Sequence, residues 1–446
     1  MTRIKYVIKR SGVTVPFTPE RISNAIYRAA VAVGGRNRHI ADDLAQKVIT
    51  LLEHHPDPEY TPHIEEIQDA VEKVLIENGH ARVAKAYILY RDERARHRNQ
   101  QDAQVAQPSA NIPWAKIWHV LDWAVDRGLH TVSGLNSRIH SGEFSQVVTE
   151  SEAAYSVEVE NAASAILARR DELKMIIITG PSSSGKTTTM IKVAERLKNA
   201  GVRLVTLNVD NYFFDLEMHP KDEFGDYDFE TPHALDLELI NKHLTRLFSG
   251  EEVMIPHYDF KTGKRVPGQT PMKLAADELI LIDSLHGLFP EMTRDIADPL
   301  KFKLYLEPLM QMKGEDGEYV RWTDIRLIRR MLRDASHRAY DPRQTLEHWH
   351  YVRSSEMRHI IPNITTADVI INSAMPYELS LYAARLGQDF KKWTAEYQVK
   401  PLKEDAFNRA ERVWRMLDSV TPVPDDNQVP TDSVIREFIG GSSLNY

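Results

Sequence analysis

The chain of 446 residues contains no cysteine, which excludes disulfide bridges, thiolate nucleophiles and cysteine-held zinc. It also lacks any apolar stretch approaching the roughly 20 residues needed to cross a bilayer. Neither sign of charge dominates. There are 56 basic and 64 acidic residues, a formal net charge of -8, which argues against a general affinity for nucleic acid or anionic membranes. Met1 to Arg10 carries charges and no apolar run of the kind found in a secretion signal, so a cytoplasmic location is expected. No solenoid-period repeat and no long low-complexity segment is present. What is there is a globular composition, 42% hydrophobic and 27% charged, long enough for two or three domains.

The first hundred residues read as one mainly helical unit. Tyr6-Val7-Ile8 is a short strand and Ser11-Gly12 a turn. Thr18-Pro19 reads as an N-cap with proline at the first helical position. Ile22, Ile26, Ala29 and Val33 follow at helical spacing and end at Gly34-Gly35. A second helix carries Ile64, Ile67, Val71 and Val74, and a third runs from about Ala81 through Arg96. Residues 100–113 read as a linker. Trp114, Trp118, Leu121 and Val125 mark an amphipathic helix, residues 130–150 show no clear period, and a further helix starts near Val157.

From Met175 onward short apolar strands alternate with helices. The strands are Met175–Ile178, Val202–Val209, Leu279–Ile282, Lys301–Leu306 and Ala367–Asn372. The alternation predicts an α/β fold: a parallel sheet with helices on both faces, binding its ligand at the C-terminal ends of the strands. The expected organisation is a small domain at 1–98, a linker and helical connector at 99–155, the α/β domain at 156–390, and a C-terminal helical extension and tail at 391–446.

One motif is free of mismatches. Gly180-Pro181-Ser182-Ser183-Ser184-Gly185-Lys186-Thr187 fits G-x-x-x-x-G-K-[ST] and lies between an apolar strand and an amphipathic helix. Its glycines let the backbone curl until several N–H groups face the phosphates of ATP, and the helix adds its positive end. Lys186 reaches the outer phosphates, Thr187 offers a hydroxyl to Mg²⁺, and Thr188 follows in the same turn. Asp283 closes the strand Leu279–Ile282, where an acid holds the metal or its water. Asp210 closes the strand Val202–Val209, where a carboxylate accepts the proton of an attacking hydroxyl; its bland alternative is a turn cap. Arg326, Arg329, Arg330, Arg333 and Arg338 crowd one segment, with Arg326, Arg330 and Arg333 on one helical face. They read either as a lid that neutralises charge in the transition state or as a solvated basic face. His257-Tyr258-Asp259-Phe260 reads equally as a sandwich for a planar substrate or as core at a turn.

With these residues in place, the segment from about 172 to 375 resembles the uridine kinase/phosphoribulokinase family of P-loop kinases, and most closely a bacterial subgroup of uridine kinase-like nucleoside kinases. Val209-Asp210-Asn211-Tyr212-Phe213 is similar to the strand end that carries the family's general base. Tyr227-Asp228-Phe229-Glu230-Thr231-Pro232 is similar to its sugar-holding segment, which implies substrate contact at Asp228. The resemblance further implies base contact at Tyr258 and Phe260, a lid over Arg326 to Asp334, and a substrate-side Gln344. Lys261 to Gly268 and the terminal Arg436-Glu437-Phe438-Ile439-Gly440-Gly441-Ser442 are similar to the subgroup; on composition alone that tail reads as disordered. There are three departures from the family. Asp283-Ser284 replaces Glu-Gly, Gly263 stands where uridine kinases carry a base-binding histidine, and Ala339 replaces a lid glycine.

Residues 1 to about 96 resemble the ATP-cone, a small regulatory nucleotide-binding domain, through Val7-Ile8-Lys9-Arg10-Ser11-Gly12, Pro16-Phe17, Arg21-Ile22 and Val83 to Arg91. That resemblance implies a second nucleotide contacted by Lys9, Arg10, Phe17, Arg21, Thr61 and Arg91, and a homo-oligomer. The expectation is an ATP- and Mg²⁺-dependent kinase. Lys186, Asp210, Arg330 and Arg333 would act on the phosphoryl group, and Arg326 and Arg338 would stand on the side of a hydroxyl-bearing small molecule. The alternatives are a nucleotide-sensing regulator and an ATPase without a small-molecule acceptor.

Overall fold

The computed structural model describes residues 2–8, 14–33, 35, 37–57, 60–88, 111–220, 230–337, 341–399 and 404–445. They form two compact units, one within the first hundred residues and one from residue 111 onward.

In the first unit the antiparallel strands β1 (Tyr6–Ile8) and β2 (Thr14–Pro16) precede helices α1 (Pro19–Ala32), α2 (Arg38–Glu53) and α3 (Ile64–Glu77). Residues 81–88 are also helical. Thr18 is the N-cap of α1, with Pro19 in its first turn, as its sequence predicts. The start of α3 is a capping box: the His63 ring accepts from the Glu65 N–H, while Glu66 accepts from the His63 N–H at 2.6 Å. Helix α2 escapes the sequence reading, although Ala41, Leu44, Ala45, Val48, Ile49 and Leu52 give it a continuous buried stripe. That stripe packs with Ile26, Val71 and Leu75 into the unit's own core.

The second unit opens with α4 (Trp114–Asp126), α5 (Val132–His140) and α6 (Phe144–Leu167). The last two fill the stretch without a clear period. Strands β3 (Met175–Thr179), β4 (Arg203–Asn208), β7 (Glu278–Ser284), β8 (Lys301–Glu307) and β9 (Val369–Asn372) form a parallel sheet in the order β4-β7-β3-β8-β9. Helix α7 (Lys186–Asn199) joins β3 to β4, and α8 (Leu237–Phe248) with the antiparallel hairpin of β5 (Val253–Asp259) and β6 (Lys264–Met272) lies between β4 and β7. Helices α9 (Trp322–His337), α10 (Pro342–His359), α11 (Glu378–Gln398), α12 (Glu404–Asp418) and the single turn α13 (Arg436–Ile439) complete it.

The central strand β3 is buried along its whole length, as expected of a strand covered on both faces. One face meets a core holding Val147, Tyr155, Val159 and Ile166 of α6 together with Val413 and Ile435 near the C-terminus. The other meets Ile240 and Leu244 of α8. The domain edges expected at 155/156 and 390/391 therefore fall inside the continuous helices α6 and α11. Among the described residues, no helix is long and apolar enough to cross a membrane.

Candidate active site

The sheet's register brings the sequence-predicted residues together. Asp283 on β7 is level with Ile178 on β3 and with Asn208 on β4. Gly180 and Asp210 each lie two residues beyond that line, just past the ends of the strands flanking β7, so the loop that Gly180 begins and both acids meet at one crevice at the C-terminal edge. The crevice is a cleft of about 560 Å³ lined by Ser182 to Thr187, Asp210, Asp283, Arg330 and Arg333.

The phosphate loop is shaped by close approach. A Cβ on Gly180 would come within 2.2 Å of the Leu306 carbonyl of β8, so only glycine fits there. Gly185 turns at φ 91°, and Ser183 takes the left-handed region at φ 59°, a conformation that costs a non-glycine residue on the order of 1–3 kcal/mol. The Ser184 carbonyl accepts from Ser373 at 2.5 Å, which pins the loop to the segment after β9. Thr189 bonds both the Gly185 carbonyl (2.8 Å) and the Tyr155 hydroxyl of α6 (2.6 Å). Lys186 donates to the Pro181 carbonyl at 3.1 Å, and burial lowers its pKa.

Asn208 caps the short turn that follows β4, Val209–Tyr212, its Oδ1 accepting from the Asp210 N–H at 2.9 Å. The cap is therefore asparagine, which leaves the Asp210 carboxyl facing the cleft. Its tip reaches solvent, yet the surrounding protein raises its pKa, while Lys186 pulls the other way. Burial pushes Asp283 up to about 6, with Lys186 opposing and Glu437 and Asp210 adding to the rise.

The arginines divide. Arg330 reaches Glu230 at 3.2 Å and the Ser182 hydroxyl at 3.4 Å, and Arg333 lines the same cleft. Arg326, expected on the substrate side, is wholly buried. It grips Glu356 through two bonds of 2.5 and 2.8 Å and touches the Ser182 carbonyl at 3.1 Å from behind the loop. Gln344 is exposed on the first turn of α10 and does not line the cleft. Asp228 and Arg338 lie outside the described residues.

Tyr258 and Phe260 also part company. Tyr258 is buried, with Phe213 packed 5.4 Å away, whereas Phe260 is 66% exposed and forms the lip of the cleft with Phe213. Gly263 turns the β5–β6 hairpin at φ 67°, with Leu216 2.9 Å from where a Cβ would stand. A histidine at this position would need both a strained backbone and a displaced leucine.

Two residues that the sequence reading did not single out belong to the site. Glu437 of α13 lines it, although its tail reads as disorder on composition alone. His286 lines it too, and neither of its ring nitrogens closes a hydrogen bond of ordinary geometry among the described residues. Burial, then His359, pushes its pKa down to about 3, with the Glu230 backbone opposing, so the imidazole is neutral at physiological pH.

In the first unit Phe17 and Arg21 line a small cavity of about 160 Å³ together with Gln68 and Tyr87. Thr61 is not among its lining residues, and Lys9, Arg10 and Arg91 lie outside the described residues.

Comparison with known proteins gives the following. The model of the Phosphoribulokinase / Uridine kinase family matches residues 175–379, and that of the ATP cone domain matches residues 5–96. The chain is 30% identical over 223 residues to a uridine kinase of Borrelia turicatae, covering 49% of this chain and 97% of that protein. It is 29% identical over 198 residues to a uridine kinase of Deinococcus deserti, covering 44% and 86%. A solved structure titled as a possible uridine kinase from Bacillus stearothermophilus superposes with a TM-score of 0.33 at 16% identity, over 48% of this chain and 97% of that one.

Proposed function

The chain belongs to the phosphoribulokinase/uridine kinase family, and from that premise we propose that it moves the γ-phosphate of ATP, with magnesium, onto a hydroxyl of a nucleoside-like small molecule. As a family member it is a phosphotransferase with an alcohol group as acceptor. The observation that carries the fuller reading is that Lys186, Asp210 and Asp283 line one cleft at the C-terminal edge of the sheet.

Lys186 and the N–H groups of the loop hold the phosphates. The oxygens of Thr187 and Asp283 suit a hard cation. Among the described residues no group of three or more histidines or acids could hold a metal by itself. That fits magnesium, which takes one or two carboxylates and completes its shell with phosphate oxygens and water. Once bound, the ion neutralises charge on the phosphates. Asp210 accepts the proton of the acceptor hydroxyl, a task that its raised pKa suits. Arg330 and Arg333 supply positive charge where the transferring group passes. Phe260 and Phe213 give a planar group an apolar lip, and the neutral His286 can both donate to and accept from acceptor hydroxyls. Asp228 and Arg338 stay on the acceptor side of this reading through the family resemblance. The N-terminal unit takes a second nucleotide beside Phe17 and Arg21 and regulates the kinase, which works in the cytoplasm.

The test is ATP consumption by the full chain against a panel of nucleosides, sugars and polyols. We expect release of ADP that depends on one acceptor class. Asp210→Asn should reduce it by on the order of 10²–10⁴-fold while ATP still binds. Hydrolysis that ignores every acceptor would support the ATPase reading instead.

A further inference from the structure

The phosphate loop already holds an anion of the protein's own. Glu437 Oε2 accepts from the Thr188 N–H at 3.2 Å and from the Thr188 hydroxyl at 2.8 Å. Thr188 is the third residue of α7, so its N–H is one of those that a helix leaves unsatisfied at its start. It also belongs to the set of N–H groups that a loop of this kind turns toward the inner phosphates of a nucleotide. A phosphate oxygen bonded there would stand where the carboxylate oxygen stands, and two like charges in contact repel.

The segment that delivers Glu437 is a packed part of the unit. Val434, Ile435 and Phe438 are buried, and the Arg329 guanidinium lies 5.0 Å from the Phe438 ring. Arg436 donates to the carbonyls of Asp426 and Val429, each at 2.8 Å. Lys192 of α7 pairs with Asp432 at 2.8 Å. Val434 lies 2.5 Å from where a Cβ on Gly185 would stand, so the loop's second glycine is also what lets the tail lie against it. The backbone that carries the carboxylate is thus packed in place, and Glu437 itself is buried at 7% exposure, so displacing it falls to the side chain.

We propose that the C-terminal segment is an internal competitor for the nucleotide: Glu437 occupies the Thr188 donor in the resting protein, and ATP binds by displacing that carboxylate. The proposal rests on the reading of the loop as an ATP site. It sets the resting affinity for nucleotide lower than the loop alone would give, and it lets anything that shifts residues 433–439 tune that affinity. The opposite reading, in which Glu437 stays in place beside the bound nucleotide and helps hold its metal, predicts the reverse effect.

The experiment is calorimetric titration of ATP into full-length wild type, Glu437→Gln and Lys186→Ala, in chelator and again with magnesium. Glutamine keeps the size and an accepting oxygen but removes the charge. We expect Glu437→Gln to tighten ATP binding in chelator by on the order of tenfold, within the range of ordinary coupling between two ligands, with an unchanged thermal midpoint. Unchanged or weaker binding by this variant, with or without magnesium, overturns the proposal. If the glutamine variant fails to fold, Glu437→Asp, which draws the carboxylate back from Thr188, is read in the same way. Lys186→Ala separates the two levels: wild type binding no better than this variant would remove the nucleotide site itself, and the competition with it.

Discussion

Helix α9 carries two kinds of arginine within eight residues. Arg326 and Arg329 are fully buried and face resident carboxylates, Glu356 with Glu307 for the first and Glu378 for the second. Arg330 and Arg333 are about a quarter exposed and open into the cleft. The first pair exchanges hydration for fixed partners, an arrangement that contributes little net stability yet is costly to break on one side. The second pair keeps access to the cleft. The residue type is the same in both, and Arg330 and Arg333 also touch acids, Glu230 and Asp334; what differs is that the first pair is sealed from solvent while the second keeps part of its guanidinium on the cleft.

The largest expected effect tests the buried side. Arg329→Ala strands Glu378 without its partner, and we expect a loss of about 3–5 kcal/mol in equilibrium denaturation. Next comes the cleft side. Arg330→Ala should lower the rate of phosphoryl transfer by on the order of 10²–10³-fold while stability changes by less than about 1 kcal/mol. If the two substitutions gave the same profile, either both structural or both kinetic, the division between the two pairs would collapse.

The smallest effect concerns an acid of the cleft compared with those in the buried pairs. Asp283 has a folded-state pKa raised to about 6, first by burial. A raised carboxyl favours folding while protonated, and that contribution is lost as pH rises from about 4 through about 6. Metal-free Asp283→Asn should therefore be more stable than wild type by about 1–3 kcal/mol at pH 7.5, and the gap should close near pH 4. Denaturation curves at the two pH values read this directly, and a gap that persisted at low pH would show that charge is not its cause.

Local signals were legible and distant partners were not. The loop from Gly180 to Thr187, the proline-led start of α1 and the acids at two strand ends are each written in a few adjacent residues. Parallel pairing then places those ends side by side. The fate of each arginine is not local: Glu356 lies 30 residues from Arg326, and Glu378 lies 49 from Arg329. A helical wheel groups Arg326 with Arg330 and cannot see those acids. Helix α5 and the first turns of α6 show no readable period because their buried faces answer to a sheet that begins after them, whereas the later part of α6, from near Val157, is legible. The hairpin β5–β6 was missed because its second strand, Lys264–Met272, is largely exposed and carries two prolines, giving no clean alternation. The tail from Val434 to Ile439 resembled a loose end because its glycines follow a turn of only four residues. Its order comes from Arg329, Asp426 and the loop glycine it rests on.

Tyr155 has a practical corollary for anyone trimming this protein. Through Thr189 it buttresses the carbonyl of Gly185 from a helix that begins at Phe144, some thirty residues ahead of the family's own match at 175–379. Glu437 enters from beyond the other margin. A fragment cut to the homologous stretch would keep every signature residue and lose the props on both flanks. The shortest piece worth expressing as a catalyst therefore starts before Phe144 and ends after Ile439.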